Sequence, residues 1–175
     1  MIEVEIKAPA PDLRVVEERL RRIGAKLVDD HLEKDLYFSS PLKDMVASDE
    51  ALRVREMPDR SFLTYKGPKI DVTTKSREEV EVEVSSADGV ITLLRRLGFT
   101  PTARIEKSRR IYETQEFFIM LDDVFSLGTF VEIESRRSDL DARERAFQLL
   151  DELGLDKTER RSYLELLMDR GGDAD

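Results

Sequence analysis

The sequence predicts an α+β protein, a closed eight-stranded antiparallel β-barrel with a charged lumen and helices packed outside. Three observations lead there. About eight segments alternate apolar and polar residues at period two, as half-buried strands do. About four others repeat apolar residues at helical spacing. The strand segments also place charge on one face and aliphatic side chains on the other, and a barrel that is apolar outside gives the helices a surface to cover while enclosing the charge.

Ile2 to Ala8 alternates apolar and charged side chains and ends at Pro9 and Pro11. From Asp12, a suitable N-cap, Leu13, Val16, Leu20 and Ile23 recur at helical spacing as far as Gly24. Lys26 to Phe38 and Ala51 to Met57 read as strands, and Pro58-Asp59 turns the chain into a strand from Ser61 to Lys66. Val72 to Val84 forms a long strand. Ser86 caps a helix through Val90, Leu93, Leu94 and Leu97, stopped by Gly98. Ala103 to Tyr112, Phe117 to Val124 and Thr129 to Arg136 again alternate. Two helices close the chain, from about Asp139 to Leu153 and from about Glu159 to Met168, split by Gly154. Most connections are short, which suits antiparallel neighbours.

The 175 residues fit one domain, expected over 1–170, with a disordered tail at 171–175. The absence of cysteine excludes disulfides, zinc-thiolate sites and a cysteine nucleophile. The 29 Lys and Arg against 38 Asp and Glu, a net charge of −9, argue against a nucleic-acid partner. No stretch reaches the ~20 apolar residues of a membrane span, and the N-terminus has no signal-peptide pattern. A soluble cytoplasmic protein is therefore expected. The sequence leaves a homodimer open.

Alternation puts Glu3, Glu5 and Lys7 on one face of the first strand, opposite Ile2, Val4 and Ile6. It likewise groups Arg53 with Arg55; Lys75, Arg77, Glu79, Glu81 and Glu83 together; Lys107 with Arg109; and Glu132 with Glu134, while Asp122 follows Phe118 and Met120. On a single strand such a pattern ordinarily marks a solvated face. Here like charges stand side by side on strand after strand, and they repel unless a counter-ion lies between them. The acidic pairs invite a cation. The basic pairs, with Lys66, invite an anion, and Arg matches phosphate oxygens in bidentate fashion. Oxygen donors without cysteine suit Mg²⁺ or Mn²⁺ rather than zinc or copper.

Other chemistries lack their residues. Neither a P-loop nor a dinucleotide-binding glycine motif is present. His31 is the sole histidine, and no G-x-S-x-G accompanies it, which weighs against a serine-histidine triad. Tyr37, Phe38, Tyr65 and Tyr112 could stack on a base, but aromatic side chains in strands more often pack.

Glu3-Val4-Glu5-Ile6-Lys7 resembles the E-x-E-x-K signature of the CYTH superfamily, which unites class IV adenylyl cyclases with thiamine triphosphatases. The resemblance runs on through His31 to Asp35 and Tyr37-Phe38, Leu52-Arg53-Val54-Arg55, Leu63 to Pro68, Arg77-x-Glu79-x-Glu81, Lys107-x-Arg109, Leu121-Asp122, Leu127-Gly128, Phe130 to Glu134 and Ser162-Tyr163. It implies a triphosphate tunnel in which Glu3, Glu5, Asp122, Glu132 and Glu134 hold the metal, with Glu79 and Glu81 at a second metal or in its outer shell. Lys7, Arg53, Arg55, Lys66, Arg77, Lys107 and Arg109 would grip the triphosphate, and Glu132, Glu134 and Lys7 would be catalytic. Ser39 departs from the family's frequent Tyr-Phe-Asp. The stretch from Lys66 to Arg77 looks more like the cyclases, and no Trp is present to stack on thiamine. An adenylyl cyclase acting on ATP is thus expected first. A tripolyphosphatase or organic triphosphatase comes second, and a non-catalytic polyphosphate- or nucleotide-binding module third.

Overall fold

A computed structural model of the chain describes residues 5–70, 77–136 and 141–171. Its strands are β1 (Glu5–Pro9), β2 (Lys26–Ser39), β3 (Ala51–Glu56), β4 (Ser61–Lys69), β5 (Arg77–Val84), β6 (Thr100–Glu113), β7 (Phe117–Val124) and β8 (Gly128–Ser135). Its helices are α1 (Leu13–Arg22), α2 (Ala87–Arg96), α3 (Ala142–Glu152) and α4 (Tyr163–Asp169). All strand pairs are antiparallel, in the order β1-β8-β7-β6-β2-β3-β4-β5. None of the described helices is long and apolar enough to cross a membrane.

The α+β class and the eight antiparallel strands are as expected, and the described residues do not show the closure. Among the described residues no ladder joins β1 to β5, so the sheet is an open, curled half-barrel with those strands at its edges. The curl is strong enough that Glu5 of β1 and Glu79 of β5 line one cavity. The described part of β1 is only five residues and ends at a proline that has no N–H to give a ladder. The expected first residues of β1, Ile2 to Val4, and of β5, Val72 to Ser76, lie outside the described residues, as do 172–175 of the expected tail.

The outer face is apolar and covered by helices. The Asp12 carboxylate accepts from the Arg14 N–H at 2.9 Å and so caps α1. That helix brings Val16 and Leu20, and α3 brings Ala146, Leu149 and Leu150, onto Ile6, Ile119, Leu121, Val131 and Ile133. Each fully buried aliphatic side chain there contributes roughly 1.5–3 kcal/mol. Ser86 caps α2, which lays Ala87 and Leu94 on Phe38 and Val54.

α4 departs from the expected arrangement. Ser162 and Glu165 form a capping box that starts it at Tyr163, later than the expected Glu159. Its Tyr163 and Leu166 pack on Tyr37, Ala103, Ile105, Val124 and Phe130. Those residues share parity with Asp35, Lys107, Asp122 and Glu132, so α4 covers one end of the inner face instead of packing outside. The inner face is apolar at that end, which a short helix can bury, and charged beyond it.

Candidate functional site

Period-two alternation in the curled sheet turns one charged side chain from every other residue inward. The cavity they enclose, of about 400 Å³, is lined among others by Arg53 and Arg55 of β3, Lys66 of β4, and Lys107 and Arg109 of β6. Arg77, Glu79 and Glu81 of β5, Glu5 of β1, and Glu132 and Glu134 of β8 also reach it. Ser162, Tyr163 and Leu164, at the start of α4, close one side.

Two ion networks hold the cations in place. In the first, Arg55 forks onto Asp35, with Nε to Oδ1 and Nη2 to Oδ2 both 2.7 Å, and Arg53 Nη1 reaches the same carboxylate at 3.3 Å. Glu33 Oε2 lies 2.9 Å from Arg55 and 2.8 Å from Lys107 Nζ. In the second, Arg109 donates to Asp122 through Nε at 2.7 Å and Nη2 at 2.5 Å, and to Glu132 at 2.6 Å. The Tyr163 hydroxyl donates to Asp122 at 2.7 Å, tying α4 to this network. On the β4–β5 side Lys66 Nζ lies 2.7 Å from Glu79, and Thr64 donates to Glu81 at 2.9 Å.

The electrostatics favour an incoming anion. Burial, then the neighbouring Arg53, lowers the pKa of Lys66; burial, then Arg109 and Arg55, lowers that of Lys107. Both ammonium groups therefore lie in a positive field that a bound anion would relieve. Against the cost of burial, Arg55 and Arg53 hold Asp35 well below the usual carboxylate range, and Lys107 and Arg109 do the same for Glu33. These carboxylates stay ionised and brace the cations.

The acidic side is less convergent. Glu5 stands directly opposite Glu134 in the β1–β8 ladder, and Lys7 opposite Glu132. Facing like charges of this kind suit a bound cation. No three carboxylates gather closely enough among the described residues to hold a metal ion, and Glu3 lies outside those residues. The donors fit Mg²⁺ or Mn²⁺ in kind, being oxygen ligands from facing strands.

Two expected site residues stand behind the cavity wall. The Lys7 ammonium donates to the Arg161 carbonyl at 2.5 Å and lies 4.0 Å from the Tyr163 ring centroid. Asp122 is fully buried under Arg109 and Tyr163. Lys7, expected to touch phosphate, does not line the cavity in this structure, and its ammonium is bonded to the chain entering α4. Sequence reasoning gave no role to Glu33, Asp35 or Tyr163, the residues that organise the cations and close one end. The first two had a signal, since His31, Glu33, Asp35 and Tyr37 alternate on β2 in the same parity.

Residues 1–163 match the CYTH domain. A Methanocaldococcus jannaschii protein provisionally named an adenylate cyclase is 38% identical over 172 residues, covering 95% of this chain and 98% of its own. Adenylate cyclase CyaB of Aeromonas hydrophila is 30% identical over 173 residues, covering 94% of this chain and 87% of its own. The solved structure of a Pyrococcus horikoshii protein is 39% identical with a TM-score of 0.87, covering 96% of this chain and 99% of its own. A more distant structure from Hippeastrum, 20% identical with a TM-score of 0.73, covers 97% of this chain and 95% of its own and shares the fold; that protein is described as having a dominant triphosphatase activity.

Proposed function

Since the chain belongs to the CYTH domain family, we propose that its cavity binds the triphosphate of a nucleotide together with a divalent metal and converts ATP to cyclic AMP and pyrophosphate. One observation carries the triphosphate reading. Five cations from three strands, Arg53, Arg55, Lys66, Lys107 and Arg109, line one cavity, and burial, with the cationic neighbours, disfavours the charge of the two lysines among them. The choice of a cyclase is supported by the names of the two relatives and by the stretch from Lys66 to Arg77, part of which lies outside the described residues.

In this reading Arg53, Arg55 and Lys66 hold one end of the triphosphate, with Arg77 at the edge, and Lys107 and Arg109 hold the other. Asp35, Glu33 and Asp122 fix the guanidinium planes, so little reorganisation is needed when charge shifts onto the leaving group. The ribose 3′-oxygen attacks the α-phosphorus and gives its proton to a cavity carboxylate, Glu132 or Glu134, as the bond from that phosphorus to the bridging oxygen of the β-phosphate breaks and pyrophosphate departs with its charge balanced by these cations. Glu5, Glu132 and Glu134, with Glu3 and with Asp122 behind them and Glu79 and Glu81 across the cavity, would hold Mg²⁺ or Mn²⁺, which supplies charge stabilisation at the phosphoryl oxygens. Lys7 steadies Tyr163 and the start of α4.

A second reading is hydrolysis of the terminal phosphate by water. It is favoured by the cavity's lining, which is mostly charged and offers only Tyr37, Ala51, Met120, Tyr163 and Leu164 to hold a base. The Hippeastrum neighbour points the same way. Incubation with Mg²⁺ or Mn²⁺ and, separately, ATP, tripolyphosphate and thiamine triphosphate distinguishes the readings by their products. Cyclic AMP with pyrophosphate supports the cyclase, orthophosphate alone moves the assignment to a triphosphatase, and binding without turnover leaves a binding module. Full turnover in excess chelator would remove the metal.

A further inference from the structure

His31 is the chain's one histidine. It stands on the inner face of β2, and its side chain is 6% exposed between two carboxylates: Nε2 lies 3.0 Å from Glu33 Oε1 and Nδ1 lies 3.1 Å from Asp29 Oδ2. An ionised carboxylate can only accept a hydrogen bond, and a neutral imidazole has a single N–H. The Nε2 contact is a hydrogen bond that a neutral ring protonated on Nε2 can also make; Nδ1 approaches Asp29 at ion-pair distance without hydrogen-bond geometry, and only the imidazolium gains the attraction of both carboxylates.

Glu33 connects this pair to the cavity. Its other oxygen meets Lys107 at 2.8 Å and Arg55, reaching in from β3, at 2.9 Å. On β6, the strand paired with β2 at this level, Arg109 stands opposite His31 in register. The Arg109 guanidinium is taken up by Asp122 and Glu132 and lies 3.9 Å from Glu33 Oε1. Neither His31 nor Glu33 lines the cavity, so any influence passes through the cations.

We propose that His31 is a positioning residue: as imidazolium it offsets the charge of Glu33, which leaves Lys107 and Arg55 available to a triphosphate. On losing its proton it lets Glu33 hold those cations more tightly, and anion binding weakens. The proposal rests on reading the cavity as a triphosphate site. The titration runs in the same direction. The hydrogen bond to Glu33 and the charges of Glu33 and Asp29 outweigh burial and raise the His31 pKa above its ordinary value. The imidazolium is therefore present below that raised pKa and lost as pH rises through it.

With a single histidine, the imidazole C2 proton gives one unambiguous NMR titration in the intact protein. Its midpoint is expected above the ordinary ~6.5, lower in Glu33→Gln and in Asp29→Asn, and raised by added tripolyphosphate, because coupling between two sites is reciprocal. Calorimetry with tripolyphosphate should show affinity falling about fivefold or more as pH rises through the midpoint, the lower range of such coupling. His31→Gln, neutral at every pH, should bind at the weaker level throughout. A midpoint that neither Glu33→Gln nor tripolyphosphate moves would overturn the proposal. So would an equal loss of affinity with pH in His31→Gln. If tripolyphosphate fails to bind at any pH, the triphosphate reading falls and takes the positioning role with it, while the midpoint still decides whether the two carboxylates hold the imidazolium. The wild-type titration needs no variant to fold.

Discussion

Two strands carry the same Glu-x-Glu pattern over the same aliphatic alternation, yet the fold treats them differently. On β8, Glu132 is buried and bonded to Arg109, and Val131 and Ile133 beneath it are fully buried under α1 and α3. On β5, Glu81 has a side chain 40% exposed, and Val80 and Val82 are about half exposed at the sheet edge. Among the described residues, β8 is flanked on both sides by β1 and β7, whereas β5 has a ladder on one side only. The same local pattern thus encodes a buried ion network in one place and a wet rim in the other. The difference is set by what the rest of the chain lays over each strand.

Breaking the buried network should cost the most. Asp122→Asn removes the charge that Arg109 forks onto and leaves a guanidinium less compensated in the interior, so chemical denaturation should show a loss of about 3–5 kcal/mol. Glu81→Gln, at the rim, should cost less than about 1 kcal/mol in the same assay. In steady-state kinetics Glu132→Gln should lower turnover by roughly tenfold or more with the circular dichroism spectrum unchanged, and Glu81→Gln should have a smaller effect. Full activity in Glu132→Gln would make that residue structural.

Smaller effects sharpen the contrast. Ile133→Val should destabilise by about 0.5–1.5 kcal/mol, since the vacated space cannot collapse, whereas Val82→Ala should change stability by about 0.5 kcal/mol or less. Acid titration adds a pH signature. Glu33 is held ionised by Lys107 and Arg109, with a folded-state pKa below its unfolded one. Its contribution is present above the unfolded carboxylate value and is lost as pH falls from there toward the folded value. The stability difference between wild type and Glu33→Gln should therefore shrink as pH is lowered from about 5 toward 2, and a constant difference would show that the pairing is not ionic.

Much of this was legible in the sequence because strand parity is a local property. Arg53 with Arg55, Lys107 with Arg109 and Glu132 with Glu134 could be assigned to one face without knowing any neighbour, and the caps at Asp12 and Ser86 mark where helices begin. What was not legible depends on contacts distant in sequence. Nothing local distinguishes a helix that covers the outer face from one that enters the inner face; α4 enters because Tyr163 meets Asp122, 41 residues away. Just before the same helix start, the Arg161 carbonyl accepts from Lys7, 154 residues away. Closure of the barrel, which the described residues do not show, is beyond the sequence for a related reason. Pairing between the two edge strands depends on their register in space, and alternation does not specify which strands meet.

The account's central claim is that the charged face encloses a polyanion, and ligand-induced stabilisation tests it most directly. Tripolyphosphate with Mg²⁺ should raise the melting temperature, by the equivalent of roughly 2.7 kcal/mol at a hundredfold excess over Kd. The shift should shrink in Arg53→Ala and in Lys107→Ala, each of which removes a charge-assisted contact worth about 1.5–3 kcal/mol. It should persist in Arg21→Ala, whose exposed side chain on α1 pairs only with Glu17 among the ion pairs described. Equal shifts in all three variants would show that tripolyphosphate does not enter the half-barrel and would contradict the account.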